Sequence, residues 1–293
     1  MRTVYLGTSA FAVSILERLA GSAHRPALVV TRPDRPRGRG RRVAAPPVAE
    51  AARALGIEVF QPESVNAPDA VGRIAATQPE AVCVCAFGVL VSEPLLSEHL
   101  MLNVHPSLLP RWRGAAPVER AIMAGDQRTG VSIMRVTAGL DSGRVCLLAA
   151  EPIHPEDTYG TLSERLAALG GELLVDALDD LPPFREQDEA GATYAEKITA
   201  EDRRLDPSRP AVELERTVRA LAPHIGARLD LGGEPLGVRR AIVVDDALGE
   251  GELAARDARL LLGCAQGSLE LLEVQPAGGR PMSAADYLRG HRS

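Results

Sequence analysis

The sequence predicts an α/β fold, a mostly parallel sheet with helices on both faces, followed by a small antiparallel barrel or sandwich. Three observations lead there. Short apolar runs alternate with helical stretches from the amino terminus to residue 105, the pattern of parallel strands joined by crossover helices. The stretch 184–210 is polar, with prolines at its later end, as where a chain passes between domains. Beyond residue 227, apolar runs recur between glycine-rich turns, the rhythm of antiparallel strands. With 293 residues the chain suffices for two domains, at roughly 100 to 200 residues each.

Residues 3–6 form a first strand, and Gly7, Thr8 and Ser9 turn it into a helix over 10–20 that Gly21 ends. A dinucleotide site would need G-x-G-x-x-G at this turn and an acidic residue after the second strand. The chain offers one glycine, then Arg32 after a strand at 27–31, which disfavours a nicotinamide cofactor. Helix 47–55, strand 57–60, helix 68–77 and strand 81–86 lead to a strand over 101–105. A helix over 118–125 follows, then strands over 130–136 and 145–152 paired as a hairpin. The helix over 158–180 carries a capping pattern at Thr161 and Glu164, and Pro182 and Pro183 stop it. Past the linker, Val212, Leu214, Val218 and Leu221 space an amphipathic helix over 211–222. Strands at 227–231, 235–244, 259–264 and 268–274 complete the chain. The expected division is a first domain over 1–183, a linker over 184–210 and a second domain over 211–293.

Composition narrows the class. Hydrophobic residues at 45% and charged residues at 25% describe a soluble globular chain rather than a disordered one. No run is long enough to span a bilayer, and the apolar start is too short for a signal peptide, so the expected location is the cytoplasm. Cys83, Cys85, Cys146 and Cys264 lack zinc-like spacing or a CxxC motif and read as buried, inert thiols, with no metal expected. His24, His99, His154, His224 and His291 fall in turns or helix ends and read as surface residues. The net charge of −6 excludes a globally basic nucleic-acid binder, but the distribution is uneven. Residues 31–42 hold six arginines and one aspartate, net +5, leaving −11 for the remainder. Arginine forks grip phosphates bidentately, so this loop suits an RNA backbone. By contrast, residues 190–293 hold 14 basic and 16 acidic groups.

The chemistry concentrates in residues 101–114, MLNVHPSLLPRWRG, answered by Gly139, Leu140, Asp141, Ser142 and Gly143. Residues two apart on a strand share a face, so Asn103 and His105 point into one site. Pro106 ends the strand, and parallel sheets place ligands at their carboxyl ends. Phe87, Gly88, Val89 and Leu90, after the preceding strand, line the same crevice. An amide, an imidazole and, if Asp141 folds back to meet them, a carboxylate suit acyl transfer to an amine. Asn103 can hold an oxyanion, His105 can donate or relay a proton, and Asp141 can orient the histidine or collect the proton. No serine or cysteine lies beside a base here, which favours direct transfer over a covalent intermediate. Trp112, between Arg111 and Arg113, is expected near a ligand or the acceptor end.

These residues carry a resemblance. Asn103 to Pro110, NVHPSLLP, with the GLDSG run at 139–143, resembles the tetrahydrofolate-dependent formyltransferases. The longer run SLLPRWRGAAP, 107–117, is similar to the methionyl-tRNA branch of that family, as are TYAEKI at 193–198 and QPAGGRPMS at 275–283. The resemblance implies a Rossmann-like first domain and a second domain built as an OB-like barrel that binds tRNA. It implies Asn103, His105 and Asp141 as the catalytic trio. Ser107, Leu108, Leu109 and Pro110 would contact the folate, with Phe87, Gly88, Val89 and Leu90 at its ring. Arg37, Arg39, Arg41 and Arg42 would grip the acceptor arm of initiator tRNA. The cosubstrate implied is 10-formyltetrahydrofolate, and the acceptor the amino group of methionyl initiator tRNA. Pro106 replaces the small residue that many of the tRNA enzymes carry, so this motif alone leaves two alternatives: transfer to a small amine, such as a sugar nucleotide or glycinamide ribonucleotide, or a catalytically silent RNA-binding relative.

Overall fold

The computed structural model describes residues 1–37 and 42–290, with Arg37 and Arg42 described as backbone only. They fall into two compact units: Met1–Gly114, Thr129–Pro152 and Ser163–Tyr194 form the first, and Ala115–Arg128, Ile153–Leu162 and Ala195–Ser293 the second.

In chain order the first part runs β1 (Thr3–Gly7), α1 (Ala10–Ala20), β2 (Pro26–Val30), β3 (Arg35–Arg37), β4 (Arg42–Ala44), α2 (Pro47–Ala54), β5 (Val59–Phe60), α3 (Pro68–Ala76), β6 (Ala81–Cys85), α4 (Leu95–Glu98), β7 (Met101–His105) and β8 (Arg113–Gly114). Then come α5 (Pro117–Ala124), β9 (Arg128–Arg135), β10 (Val145–Pro152) and α6 (Tyr159–Asp180). Three helices, α2, α3 and α5, open on proline, whose fixed φ and missing N–H suit the first helical position.

The central sheet has the order β10-β9-β7-β6-β1-β2-β5. Strands β5, β2, β1, β6 and β7 pair in parallel, and β7 meets β9 antiparallel, placing His105 opposite Ser132. Strand alternation sorts the helices onto two faces. Val4, Leu6, Val82, Val84 and Met101 pack with Ile74 of α3 and Leu95 of α4. On the other face the Tyr5 hydroxyl donates to the Ala12 carbonyl of α1 at 2.6 Å. Gly170 of α6 is backed there by Val104 and Ile15, with no room for a Cβ. Helices thus cover both faces, as expected.

Several expectations are corrected. On either side of residues 38–41, which lie outside the described residues, the arginine-rich stretch pairs as two short antiparallel strands, Arg35 opposite Ala44 and Arg37 opposite Arg42. The cap of α6 lies one turn earlier than Thr161 and Glu164. Thr158 and Thr161 each donate a backbone N–H to the other's hydroxyl, at 3.1 and 3.2 Å, a reciprocal box that satisfies two orphan donors. The polar stretch 184–210 is bonded along its length. Arg185 and Val145 exchange backbone hydrogen bonds at 2.9 Å, and the division between units falls at Tyr194, inside it. Its polarity hid an edge contact, because backbone groups pair whatever the side chain. His24 is buried, with Nε2 2.7 Å from Asp179, and His99 has a buried Nε2; His291 lies outside the described residues. Cys83, Cys85 and Cys264 are buried and free, and burial pushes the Cys83 and Cys85 thiols up to about 12.

In the second unit, β11 (Tyr194–Ala195) leads to α7 (Ala211–Leu221), β12 (Ala227–Leu231), β13 (Glu234–Val244), β14 (Leu253–Arg256), β15 (Arg259–Gly263), β16 (Ser268–Gln275), β17 (Met282–Ser283) and α8 (Ala284–Gly290). The antiparallel sheet has the order β12-β13-β16-β15-β14, with β17 on β16. Strand β14 and helix α8 carry apolar patterns too weak to read from the sequence. Leu214, Val218 and Leu221 of α7 pack on Leu236, Val238, Leu269 and Leu271, and Met123 of α5 joins this core. Among the described residues no helix is long and apolar enough to cross a membrane.

Candidate active site

Strand β7 carries the polar pair on the face that Met101 begins. Met101 is buried under α3 and α4, and two and four residues on, at the carboxyl end, Asn103 and His105 continue that face. Parallel pairing sets Asn103 beside Val84, near the end of β6. Asp141 reaches the same place from the loop between β9 and β10. Its Oδ1 lies 3.5 Å from Asn103 Nδ2, and its Oδ2 lies 3.6 Å from His105 Nδ1. The Gly114 N–H donates to Oδ2 at 2.9 Å. The trio read from the sequence therefore converges.

His105 is held on its far side. Its Nε2 lies 2.9 Å from the Trp112 carbonyl, which can only accept, so Nε2 carries a hydrogen and Nδ1 faces Asp141. The 3.6 Å separation exceeds a hydrogen bond, as in many sites that tighten when substrate binds. The imidazole is only 5% exposed and the Asp141 carboxylate 17%, which strengthens electrostatic interactions here.

The turn after β7 is built from the inside. Ser107 is fully buried, and its hydroxyl donates to the Arg111 carbonyl at 2.6 Å. Ser132 ties the turn to β9, donating to the Ser107 carbonyl at 2.7 Å and accepting the Leu109 N–H at 3.1 Å. Leu109 packs on Met134 and Val145. Of the four turn residues assigned to the folate, Leu108 and Pro110 are half-buried, while Ser107 and Leu109 point inward. Trp112 sits at φ +63 with the Arg111 guanidinium 4.4 Å over its ring. After β6, Phe87 is core, whereas Gly88, Val89 and Leu90 are exposed, Leu90 by 78%. Thr8 donates to the Phe87 carbonyl at 2.9 Å and Asn66 to the Leu90 carbonyl at 2.9 Å. Arg32 reaches this rim, its Nη1 3.8 Å from where a Cβ on Gly88 would stand. Arg39 and Arg41 lie outside the described residues, as do the side chains of Arg37 and Arg42.

Residues that the sequence does not flag surround the Asp141 loop. Gln187 Nε2 donates to the carbonyls of Asp141 at 2.8 Å and Gly143 at 2.7 Å. Its Oε1 accepts from Arg113 Nε at 3.0 Å. Arg113, 1% exposed, forks onto Glu189 at 2.9 and 2.7 Å, and its guanidinium holds the Glu189 carboxyl below its usual value. No periodicity marks Gln187, so pattern alone could not have found it.

Amide, imidazole and carboxylate around one point can stabilise an oxyanion and move a proton. Among the described residues, no three His, Cys, Asp or Glu groups are placed to hold a metal.

A formyl transferase model matches residues 1–178, and the formyl transferase C-terminal domain matches 197–292. The chain belongs to the formyl transferase family. Its similarity to curated relatives runs full length: 43% identity to the methionyl-tRNA formyltransferase of Methylococcus capsulatus, covering 99% of this chain and 97% of that one. The Halorhodospira halophila methionyl-tRNA formyltransferase is 44% identical, covering 99% and 96%. Among solved structures, HypX from Aquifex aeolicus in complex with tetrahydrofolic acid superposes with a TM-score of 0.69 at 17% identity, over 98% of this chain and 47% of that chain. At that identity the likeness shows the fold alone.

Proposed function

We propose that this formyl transferase moves the formyl group of 10-formyltetrahydrofolate to the α-amino group of methionine on initiator tRNA, giving the formylmethionyl-tRNA that starts translation in the cytoplasm. The observation that carries this reading is the convergence of Asn103, His105 and Asp141 at the end of β7, in a chain similar end to end to methionyl-tRNA formyltransferases. Functionally, residues 1–183 act as the catalytic domain. Residues 211–293 form a tRNA-binding domain whose antiparallel sheet is of the OB-like barrel kind, with 184–210 joining them.

The exposed apolar Val89 and Leu90 beside Gly88 suit a flat heteroaromatic ring, with Leu108 and Pro110 supplied by the turn after β7. 10-Formyltetrahydrofolate supplies the formyl carbon on N10. Asn103 donates Nδ2–H to the formyl oxygen as negative charge develops on it. His105, fixed through Nε2 to Trp112, faces the site with Nδ1, which polarises that oxygen when it carries a proton and otherwise relays the proton released by the amine. Asp141 holds the imidazole and collects the proton that the attacking amine releases, directly or through water. The new C–N bond forms on methionine as the bond to N10 breaks and N10 gains a proton. Arg37, Arg39, Arg41 and Arg42 offer bidentate donors to acceptor-arm phosphates.

The test is incorporation of labelled formyl into methionylated initiator tRNA, beside methionylated elongator tRNA and free methionine. Transfer to the initiator alone is expected. Failure with all three, in a protein that binds the folate, moves the acceptor to a small amine.

A further inference from the structure

We propose that Gln187 is a positioning residue of this site, holding the Asp141 loop in its working shape from a segment outside the family's central motifs; the catalytic part of this inference rests on the reading above. Asp141 sits at φ +45, a left-handed conformation that residues other than glycine rarely adopt and that surroundings must impose. Gly143 approaches the Arg135 carbonyl so closely that a Cβ would lie 1.9 Å from it. Between these two positions the loop turns two carbonyls, of Asp141 and Gly143, toward one amide. Gln187 answers both from Nε2, at 2.8 and 2.7 Å.

Its orientation is not free to reverse. Arg113 Nε donates to Oε1 at 3.0 Å, and a flipped amide would set an oxygen against two carbonyls and an NH₂ against a guanidinium. Arg113 is buried and anchored by its fork to Glu189, and its own N–H donates to the Thr193 carbonyl at 2.9 Å. The hydrogen bonds run in series from Glu189 through Arg113 and Gln187 to Asp141. At the end of the series, the carboxylate is aimed at His105 and Asn103 while Gly114 holds Oδ2. The Asp141 carboxylate therefore inherits its position from a glutamine 46 residues away.

Gln187→Glu is the discriminating variant. It keeps the size and the bond to Arg113, so the protein folds, but it places oxygen against both carbonyls. Hydrogen–deuterium exchange reads the loop without any substrate: amides over 137–145 are expected to exchange faster in Gln187→Glu while the rest of the first unit keeps its protection. In the formyl transfer assay, kcat is expected to fall by up to about 100-fold with KM for folate and tRNA near the starting value, the scale set by small misplacement of a reacting group. Gln187→Ala should add little further loss in an Asp141→Asn background, because the residue acts through Asp141. Unchanged loop exchange in Gln187→Glu, a normal kcat, or losses that multiply in the double variant would overturn the proposal. A parent protein inactive on every acceptor overturns the reading of function instead, since loop exchange still reports on Gln187.

Discussion

Asn103 and His105 owe their placement to the two-residue period of a strand, which is why both can be read from the chain with no knowledge of their surroundings. Their consequences differ. Asn103→Ala removes the amide donor and leaves His105 anchored on Trp112. Turnover is expected to drop by about 10² to 10³, the usual effect of losing an oxyanion donor, measured as initiator formylation; a near-normal rate takes Asn103 out of the mechanism. Ser107 shows the limit of transferring roles by motif. Its hydroxyl is buried on the Arg111 carbonyl, so its side chain shapes the turn. Gln187 lies in a polar stretch, and a side chain that bonds two distant carbonyls leaves no periodic trace.

At the scale of elements, α5 is joined to the turn at 199–202 by one ion pair. Arg120 bonds both Asp202 oxygens at 2.5 and 3.1 Å, and Thr199 donates its N–H and hydroxyl at 2.8 Å. The guanidinium, helped by those donors, pulls the Asp202 carboxyl down to about 2 from its usual 3.8. A lowered folded value means stability that is present above about pH 4 and lost as pH falls toward 2. Asp202→Asn should therefore cost about 2 kcal/mol near pH 7. In denaturant titrations the gap from the parent should narrow as pH falls from about 4 to 2. The β9–β10 loop depends on Gly143 in another way. Gly143→Ala drives a Cβ into the Arg135 carbonyl and should destabilise by about 1–3 kcal/mol, read as a lowered melting temperature, with a loss of formylation because Asp141 moves too.

Across the whole molecule, charge is distributed by segment. A chain of net −6 concentrates +5 within 31–42, and that contrast favours RNA backbone at one place. Neutralising Arg41 and Arg42 together should weaken use of tRNA, leave folate binding intact, and flatten the log–log salt dependence by about 2, at about 0.9 for each phosphate no longer neutralised. Unchanged kinetics on tRNA would remove the loop from recognition. By itself the sequence determined the two fold classes and the strand that bears Asn103 and His105, because alternation and helical spacing are local; that Asp141, 38 residues beyond Asn103, meets them was only implied by the family resemblance, and the fold brings it there. Only the tertiary structure decided that Ser107 turns inward, that 115–128 and 153–162 pack with the second unit, and that Gln187 and Arg113 hold Asp141. Those outcomes depend on hydrogen bonds and packing between residues far apart in the chain, whose partners are chosen by the fold.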